Sequence, residues 1–143
     1  MRKLMFILIG LFILIIACDK IKNEPLQFTS INKGFFSPIN EKSEHVFTEP
    51  SELKKLITEE IPVNFSNEML IAVFMGNRNT GGFATEITSV TNLGNSIEVN
   101  VTETSPGRRC MTVQALTQPY HIIKTAKMTK QVIFNYKSEV KDC

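Results

Sequence analysis

The chain has 143 residues, of which 43% are hydrophobic, with sixteen Lys and Arg against fourteen Asp and Glu. Two of the basic residues, Arg2 and Lys3, precede an apolar run that has the features of a removable leader, so the rest of the chain is neutral. A neutral chain without a basic run lacks the row of cationic contacts that gives nucleic-acid binding its affinity. The composition therefore excludes a disordered chain and argues against a nucleic-acid partner, while about 126 residues after the leader suit one domain.

The N-terminal segment is organised as a signal peptide that ends at a cysteine. The apolar stretch from Leu4 to Ile16 has thirteen residues. As a helix it would reach about 20 Å, short of a hydrocarbon core of about 30 Å, so a permanent transmembrane span is disfavoured. The stretch ends in Ile15-Ile16-Ala17-Cys18, which resembles the lipobox of bacterial lipoproteins. We therefore expect a cleaved signal peptide at residues 1–17.

Acylation of Cys18 would make the mature chain an extracytoplasmic lipoprotein of a bacterial cell envelope, because two or three acyl chains hold a protein on a membrane. An uncleaved signal anchor and a secreted protein are the alternatives. Among residues 19–25 only Ile21 is apolar, which is typical of a solvated tether with a reach of about 23 Å. We therefore expect the acylated N-terminus and tether at residues 18–25, and a single β-rich domain at residues 26–143.

The first elements of this domain are a strand and the only convincing helix. Apolar and polar residues alternate over residues 26–30, which predicts an entry strand that is broken at residues 34–38. Leu53, Leu56 and Ile57 then follow a helical spacing. Because prolines flank this segment at positions 50 and 62, we expect one helix near residues 51–60.

Two strands with different patterns follow the helix. Met69–Met75 is a continuous apolar run that ends at Gly76, which predicts a central strand covered on both faces. The next strand is expected from Phe83 to about Val90. The intervening residues 77–82 are rich in asparagine and glycine, which tolerate positive φ, so they predict a hairpin loop.

The remaining strands complete the pattern. Alternation is clearest over residues 97–101, a loop is expected at residues 106–109, and two further strands are expected at residues 120–125 and 132–136. Several strands joined by short turns, with one early helix and no βαβ rhythm, predict an α+β fold. This fold is mostly antiparallel β, either sandwich-like or an open sheet.

Two cysteines remain once Cys18 is acylated. In a compartment outside the reducing cytosol, Cys110 and Cys143 are expected to form a disulfide that holds the C-terminal strand in place. The alternative is a thiol hydrolase in which Cys110 is the nucleophile and His121 activates it. The disulfide is favoured because Cys143 is available as a partner and nothing in the sequence orients the histidine.

No motif indicates a metal, a cofactor or a catalytic residue. His45 and His121 are far apart in the sequence and show no paired spacing, so a zinc site is not expected. Gly81-Gly82 lacks the other residues of a phosphate-binding loop. The adjacent pair Glu59-Glu60 is expected to be solvated.

Two polar and aromatic segments are candidates for contacts with a partner, because aromatic side chains bury a large area and glutamine and threonine add hydrogen bonds. The alternative is a purely structural role, in which Phe83 and Tyr120 anchor the core and His121 forms a hydrogen bond with a backbone carbonyl. The candidate residues are Thr80, Gly81, Gly82 and Phe83 in the predicted hairpin, and Gln114, Thr117, Pro119, Tyr120 and His121 in the second segment.

These segments, taken in order along the chain, resemble the C-terminal domain of the PrcB family of protease complex subunits over roughly residues 62–126. The resemblance rests on Asn64-Phe65-Ser66, the apolar strand ending at Gly76, Thr80-Gly81-Gly82-Phe83, Ile87 with Val90, Glu103 before Pro106, Cys110, and Gln114-Ala115-Leu116-Thr117-Gln118-Pro119-Tyr120-His121-Ile122. It implies a noncatalytic lipoprotein that associates with a secreted or surface protease and binds, stabilises or assembles it. It supplies no catalytic residue. A protease inhibitor that presents the Thr80–Phe83 hairpin is the alternative.

Overall fold

The computed structural model describes residues 23–57 and 60–143. The predicted leader, Cys18 and the first part of the tether lie outside the described residues, as does Glu59. No helix within the described ranges is both long and apolar enough to cross a bilayer. The elements are β1 (Glu24–Pro25), β2 (Phe28–Gly34), β3 (Ser43–Phe47), α1 (Pro50–Leu56), β4 (Glu68–Phe74), β5 (Ala84–Asn92), β6 (Ser96–Pro106), β7 (Tyr120–Ala126) and β8 (Gln131–Lys141).

The strands form two four-stranded sheets that pack face to face. The β5 sheet has the order β1-β5-β6-β8, and the β7 sheet has the order β2-β7-β4-β3. Among the described strands every pairing is antiparallel except that of β6 with β8. This pair is parallel because β7, which lies between them in the sequence, belongs to the other sheet. The predicted fold, mostly antiparallel and sandwich-like with one short helix, is confirmed.

The interior between the sheets is built from alternate residues of the central strands, because successive side chains in a strand point to opposite faces, and a bulge in β5 shifts this alternation by one residue after Ile87. β6 contributes Ile97, Val99 and Val101, all at most 1% exposed. The rest of this cluster comes from β4, β5 and β7: Met69, Ile71, Val73, Ile87, Val90 and Ile123.

The opposite face of β4 explains why its sequence is a continuous apolar run. Leu70, Ala72 and Phe74 point away from the first cluster and form a second one with Leu53 of α1. Ile57, Ile61, Val63 and Phe65 pack against the same cluster. β4 is therefore buried on both faces, as its sequence predicts.

Three details differ from the sequence-based expectations. The helix ends at Leu56 rather than near residue 60, because Ile57 is already in an extended conformation while its N–H still bonds the Leu53 carbonyl. β3 was not predicted, and its five residues alternate only weakly. Glu24–Pro25, which the sequence assigns to the tether, pairs with Thr91 and Asn92 of β5.

The predicted hairpin between β4 and β5 is wrong. The two strands belong to different sheets, so the residues between them cross from one sheet to the other. Inside its sheet β4 already has β3 and β7 as neighbours, which leaves no free edge for β5. The glycines and asparagines of residues 76–82 serve this crossing instead of a tight turn.

Candidate functional site

The two segments singled out from the sequence meet at one end of the sandwich. Arg78 and Thr117 exchange backbone hydrogen bonds of 2.8 and 2.9 Å, and the Gly81 N–H donates to the Val113 carbonyl at 2.8 Å. The loop after β2 joins them, because the Gln118 N–H donates to the Phe35 carbonyl at 2.7 Å. We call these three loops, residues 35–38, 75–83 and 107–119, the loop end.

Gly82 allows the backbone to turn where it lies close to Pro106 and Thr112. Its φ of 86° is a left-handed value that residues with side chains rarely adopt. A Cβ atom there would also lie 3.0 Å from Cβ of Pro106. The Thr80–Phe83 motif therefore has a structural reason, namely close contact between the crossing segment and the end of β6.

The Gln114–His121 segment divides into an exposed part and a buried part. Gln114 is exposed, whereas Thr117, Pro119 and His121 are buried. The Thr117 hydroxyl donates to the Thr80 carbonyl at 2.9 Å, which ties the two segments together. The side chains of Thr117, Pro119 and His121 therefore lie in the interior of the fold, and their contact with a partner stays a prediction that this burial does not favour.

His121 connects three strands from inside the sandwich. Its Nδ1 accepts a hydrogen bond from the Ile87 N–H of β5 at 2.9 Å, and its Nε2 lies 2.8 Å from the Ser30 hydroxyl of β2. Because Nδ1 accepts, the proton of the neutral ring is on Nε2, which donates to Ser30. Burial lowers the pKa of His121, and the nearby Lys33 lowers it further. The ring thus bonds a backbone amide and a hydroxyl, and not a backbone carbonyl.

Tyr120, the first residue of β7, also has structural partners. Its hydroxyl donates to Oδ1 of Asn32 at 3.0 Å, and its ring stacks on Phe74 with centroids 6.1 Å apart. These contacts fix the β2 end of the sheet. They match the alternative in which Tyr120 anchors the core.

The expected disulfide is present at the loop end. Cys110 is bonded to Cys143, with Cα atoms 5.4 Å apart across 33 positions of sequence. The bond fastens the loop after β6 to the C-terminus of β8. A bonded Cys110 has no thiolate to attack a substrate, and both ring nitrogens of His121 are occupied, so the thiol hydrolase alternative lacks its nucleophile and its base.

The exposed apolar side chains of the described residues concentrate at the loop end. Met111 is fully exposed, Val113 is 73% exposed and Phe36 is 72% exposed. Phe35 and Leu116 are each 54% exposed, while Ile133 and Val140 of β8 complete the set of large exposed apolar residues. Sequence reasoning missed Phe35, Phe36, Met111 and Val113. The signal that could have found Phe35 and Phe36 is an aromatic pair inside a Gly-to-Pro loop.

Part of this surface is a groove of about 420 Å³ next to the disulfide. The Arg78 guanidinium lies 5.7 Å from the centre of the Phe83 ring, at a distance suited to a cation–π contact. The groove is lined by Phe35, Gly82, Phe83, Ala84, Thr104, Pro106, Cys110, Met111, Thr112, Lys141 and Cys143. Such a surface could bind another molecule through apolar contacts and hydrogen bonds.

In residues 23–57 and 60–143, no three His, Cys, Asp or Glu side chains come together as a metal site would require.

Comparison with known families gives one match. Residues 69–126 match the family model described as PrcB C-terminal. The matched range begins in β4 and ends with β7, so it contains two of the three loops of the loop end. Neither a curated protein nor a solved structure matches the chain. Over residues 69–126 the chain is therefore similar to the C-terminal domain of the PrcB family.

Proposed function

We propose that this chain is a lipid-anchored, noncatalytic subunit of a bacterial cell envelope that binds a protease and stabilises or assembles it. The observation that carries the proposal is the loop end, where exposed apolar side chains lie on loops that are fixed by the sandwich and by the disulfide. The family match supports a protease as the partner, since the PrcB family is associated with a protease complex. Binding of this kind needs no catalytic residue.

The position of the N-terminal strand supports an orientation relative to the membrane. Glu24–Pro25 pairs with the last residues of β5, Thr91 and Asn92, whereas Ala84 at the start of β5 lies beside the loop end. Eight steps along a strand span about 27 Å. With an acyl group on Cys18, the tether would leave the domain at the end near the membrane and the loop end would face away from it.

Stabilisation of a protease follows from mass action alone. A partner that binds the folded protease and not its unfolded chain lowers the unfolded population, with an effect that grows with concentration above the dissociation constant. Anchoring two proteins at one surface raises their effective concentration. A modest affinity at the loop end would then be sufficient.

The alternative of a protease inhibitor depends on a projecting hairpin at Thr80–Phe83, and the structure has no such hairpin there. The Thr80–Phe83 segment is not a projecting hairpin, because backbone and side-chain hydrogen bonds tie it to residues 113 and 117. As a crossing between the sheets that lies against residues 113 and 117, it lacks the projecting loop with which this alternative would enter a protease cleft. We therefore keep the binding and stabilising role as the proposal.

The test is site-specific photocrosslinking in native envelopes. A photoreactive amino acid at Val113 reports on the loop end, and one at Asn95, an exposed residue in the turn between β5 and β6, is the matched control at the other end. We expect a protease subunit to be crosslinked through position 113 and not through position 95. Recovery of no protease at position 113 would contradict the proposal.

Lipid attachment is tested separately. Mass spectrometry of the mature N-terminal peptide should show acylation of Cys18, and Cys18→Ala should abolish it and release the chain from the membrane fraction or block its maturation. An unmodified N-terminus in a membrane-free fraction would contradict the anchoring part of the proposal while leaving protease binding open.

A further inference from the structure

The charges of the loop end are all of one sign. The ranges 35–38, 75–83 and 107–119 contain no Asp or Glu. They contain Arg78, Arg108 and Arg109, which are all the arginines of the described chain. Since the chain after the leader is neutral overall, this is a local concentration of positive charge that the composition conceals.

Each of these cations lies near a residue that lines the apolar groove, in the sequence or in space. Arg108 and Arg109 are exposed and precede Cys110, whose side chain lines the groove. Arg78 lies beside the Phe83 ring, and Lys141 lines the groove from β8.

The acidic groups nearby leave most of this charge unbalanced. Asp142 lies near Gly107, with its Oδ1 atom 3.1 Å from the position that a Cβ there would take. Glu139 forms an ion pair of 2.8 Å with Lys137 in the same strand. The loop end therefore combines apolar side chains with guanidinium groups that have no described carboxylate partner within salt-bridge distance.

We propose that the loop end binds an acidic and apolar segment of a protein partner. Carboxylates of that segment would contact Arg78, Arg108 and Arg109, and one of its apolar side chains would enter the groove. This inference rests on the proposed function and specifies the chemistry of the partner's surface.

The residue types fit this partner for two reasons. The loop end contains Arg, Met and aromatic residues, which are the types enriched in protein interfaces. The guanidinium group is planar and can bind a carboxylate through two parallel hydrogen bonds. Apolar contacts beside these ion pairs exclude water, and the disulfide holds the donors in place before binding.

An anionic membrane would also attract arginines next to apolar side chains. The structure favours a protein, because the chain enters the domain through β1, at the opposite end of β5 from these loops. A membrane that holds the N-terminus would face that opposite end. A lipid surface is therefore the competing outcome of the test.

The experiment is selection from a random twelve-residue peptide library displayed on phage. The target is the full chain held in phosphatidylcholine nanodiscs through its N-terminal region. We expect the selected peptides to be enriched in Asp and Glu next to aromatic or aliphatic residues. Selected peptides without an excess of acidic residues, or no enrichment at all, would overturn the proposal.

Variants then test whether the selected peptides bind at this surface. Arg108→Gln with Arg109→Gln should weaken binding by about tenfold or more, and Met111→Ser should weaken it by a similar factor. The matched control is Lys54→Gln with Lys55→Gln, which removes two adjacent exposed cations from α1 and should leave binding unchanged. Equal losses in the two double variants would contradict binding at the loop end. Thermal unfolding of each variant shows that the fold is kept.

A second experiment with lipid vesicles distinguishes an acidic protein partner from an anionic membrane. The nanodisc-held chain is mixed with phosphatidylglycerol vesicles, and retention is measured by co-sedimentation. Retention that is lost in the Arg108 and Arg109 double variant, without peptide enrichment, would assign the surface to lipid. Because peptide selection needs no protease, its success together with a negative crosslinking result would reject the protease and keep the acidic partner.

Discussion

The two halves of the 111–121 segment show how differently neighbouring residues of similar character can be used. Met111, Val113 and Gln114 point into solvent, whereas Thr117 and His121 point into the fold. The change occurs between Leu116 and Thr117, just before the chain enters β7, which lies between β2 and β4 and packs against a core cluster on each face. Polar composition around a proline therefore does not by itself mark a contact surface, since half of this segment maintains the sandwich.

The family match includes both halves, so the match alone does not distinguish the residues that maintain the fold from those that are available for binding. Two measurements do separate them. The free energy of unfolding should respond to changes in the inner half and at the disulfide. Binding should respond to changes in the outer half with little change in stability.

The largest effect on stability is expected from the disulfide, which fastens the outer half. Replacing both Cys110 and Cys143 by serine opens a loop of 33 positions, and the chain-entropy model gives a loss of about 4 kcal/mol in the free energy of unfolding. Equilibrium denaturation in urea measures it. A loss below about 1 kcal/mol would show that the unfolded chain is not constrained by this bond.

His121→Ala should cost about 3 kcal/mol, because it leaves the Ile87 N–H without its acceptor in the interior and creates a cavity. His45→Ala is the control, since His45 is only partly buried and its ring bonds the nearby Ser43 hydroxyl. We expect the His45 variant to lose clearly less stability in the same urea experiment. Equal losses would contradict the role of His121 as the link between the sheets.

The sequence was sufficient for those parts of the fold that depend on local pattern. A continuous apolar run located β4, and strict alternation located β6. It was insufficient where the deciding partner is distant. Asn and Gly at residues 76–82 suit a hairpin as well as a crossing between sheets, and only the neighbours of β4 decide between them.

The same limit applies to the candidate site. The burial of Thr117 depends on Thr80, which is 37 positions away, and that of His121 depends on Ser30, which is 91 positions away. Met111 and Val113 lie in a stretch without regular structure, where sequence periodicity carries no information about exposure.

A smaller effect on the free energy of unfolding is expected when the pH is lowered, because His121 is buried. In the unfolded chain His121 titrates near its ordinary pKa of about 6.5, whereas burial lowers the pKa in the folded chain. Between these two values the unfolded chain binds more protons, so the free energy of unfolding falls as the pH is lowered through 6.5 towards the folded pKa. The slope from this group reaches at most about 1.4 kcal/mol per pH unit.

Urea denaturation between pH 7.5 and pH 5 measures this dependence. His121→Gln should reduce the slope, because it removes the titrating ring. Burial also lowers the pKa of His45, so His45→Gln should reduce the slope as well and gives the share of that second histidine. An unchanged slope in His121→Gln would show that folding does not lower the pKa of His121.

The smallest effect on stability is expected for substitutions in the outer half, which should weaken binding to the partner. Met111→Ser with Val113→Ser removes two apolar side chains that are 101% and 73% exposed, so the free energy of unfolding should stay within about 0.5 kcal/mol of the original. Thr117→Val is the matched change in the inner half. It removes the hydrogen bond to the Thr80 carbonyl and should cost about 1 kcal/mol without altering crosslinking from position 113. If the outer pair is instead the more destabilising change, Met111 and Val113 belong to the folded core in solution, and the loop end is not an exposed surface that could receive a partner.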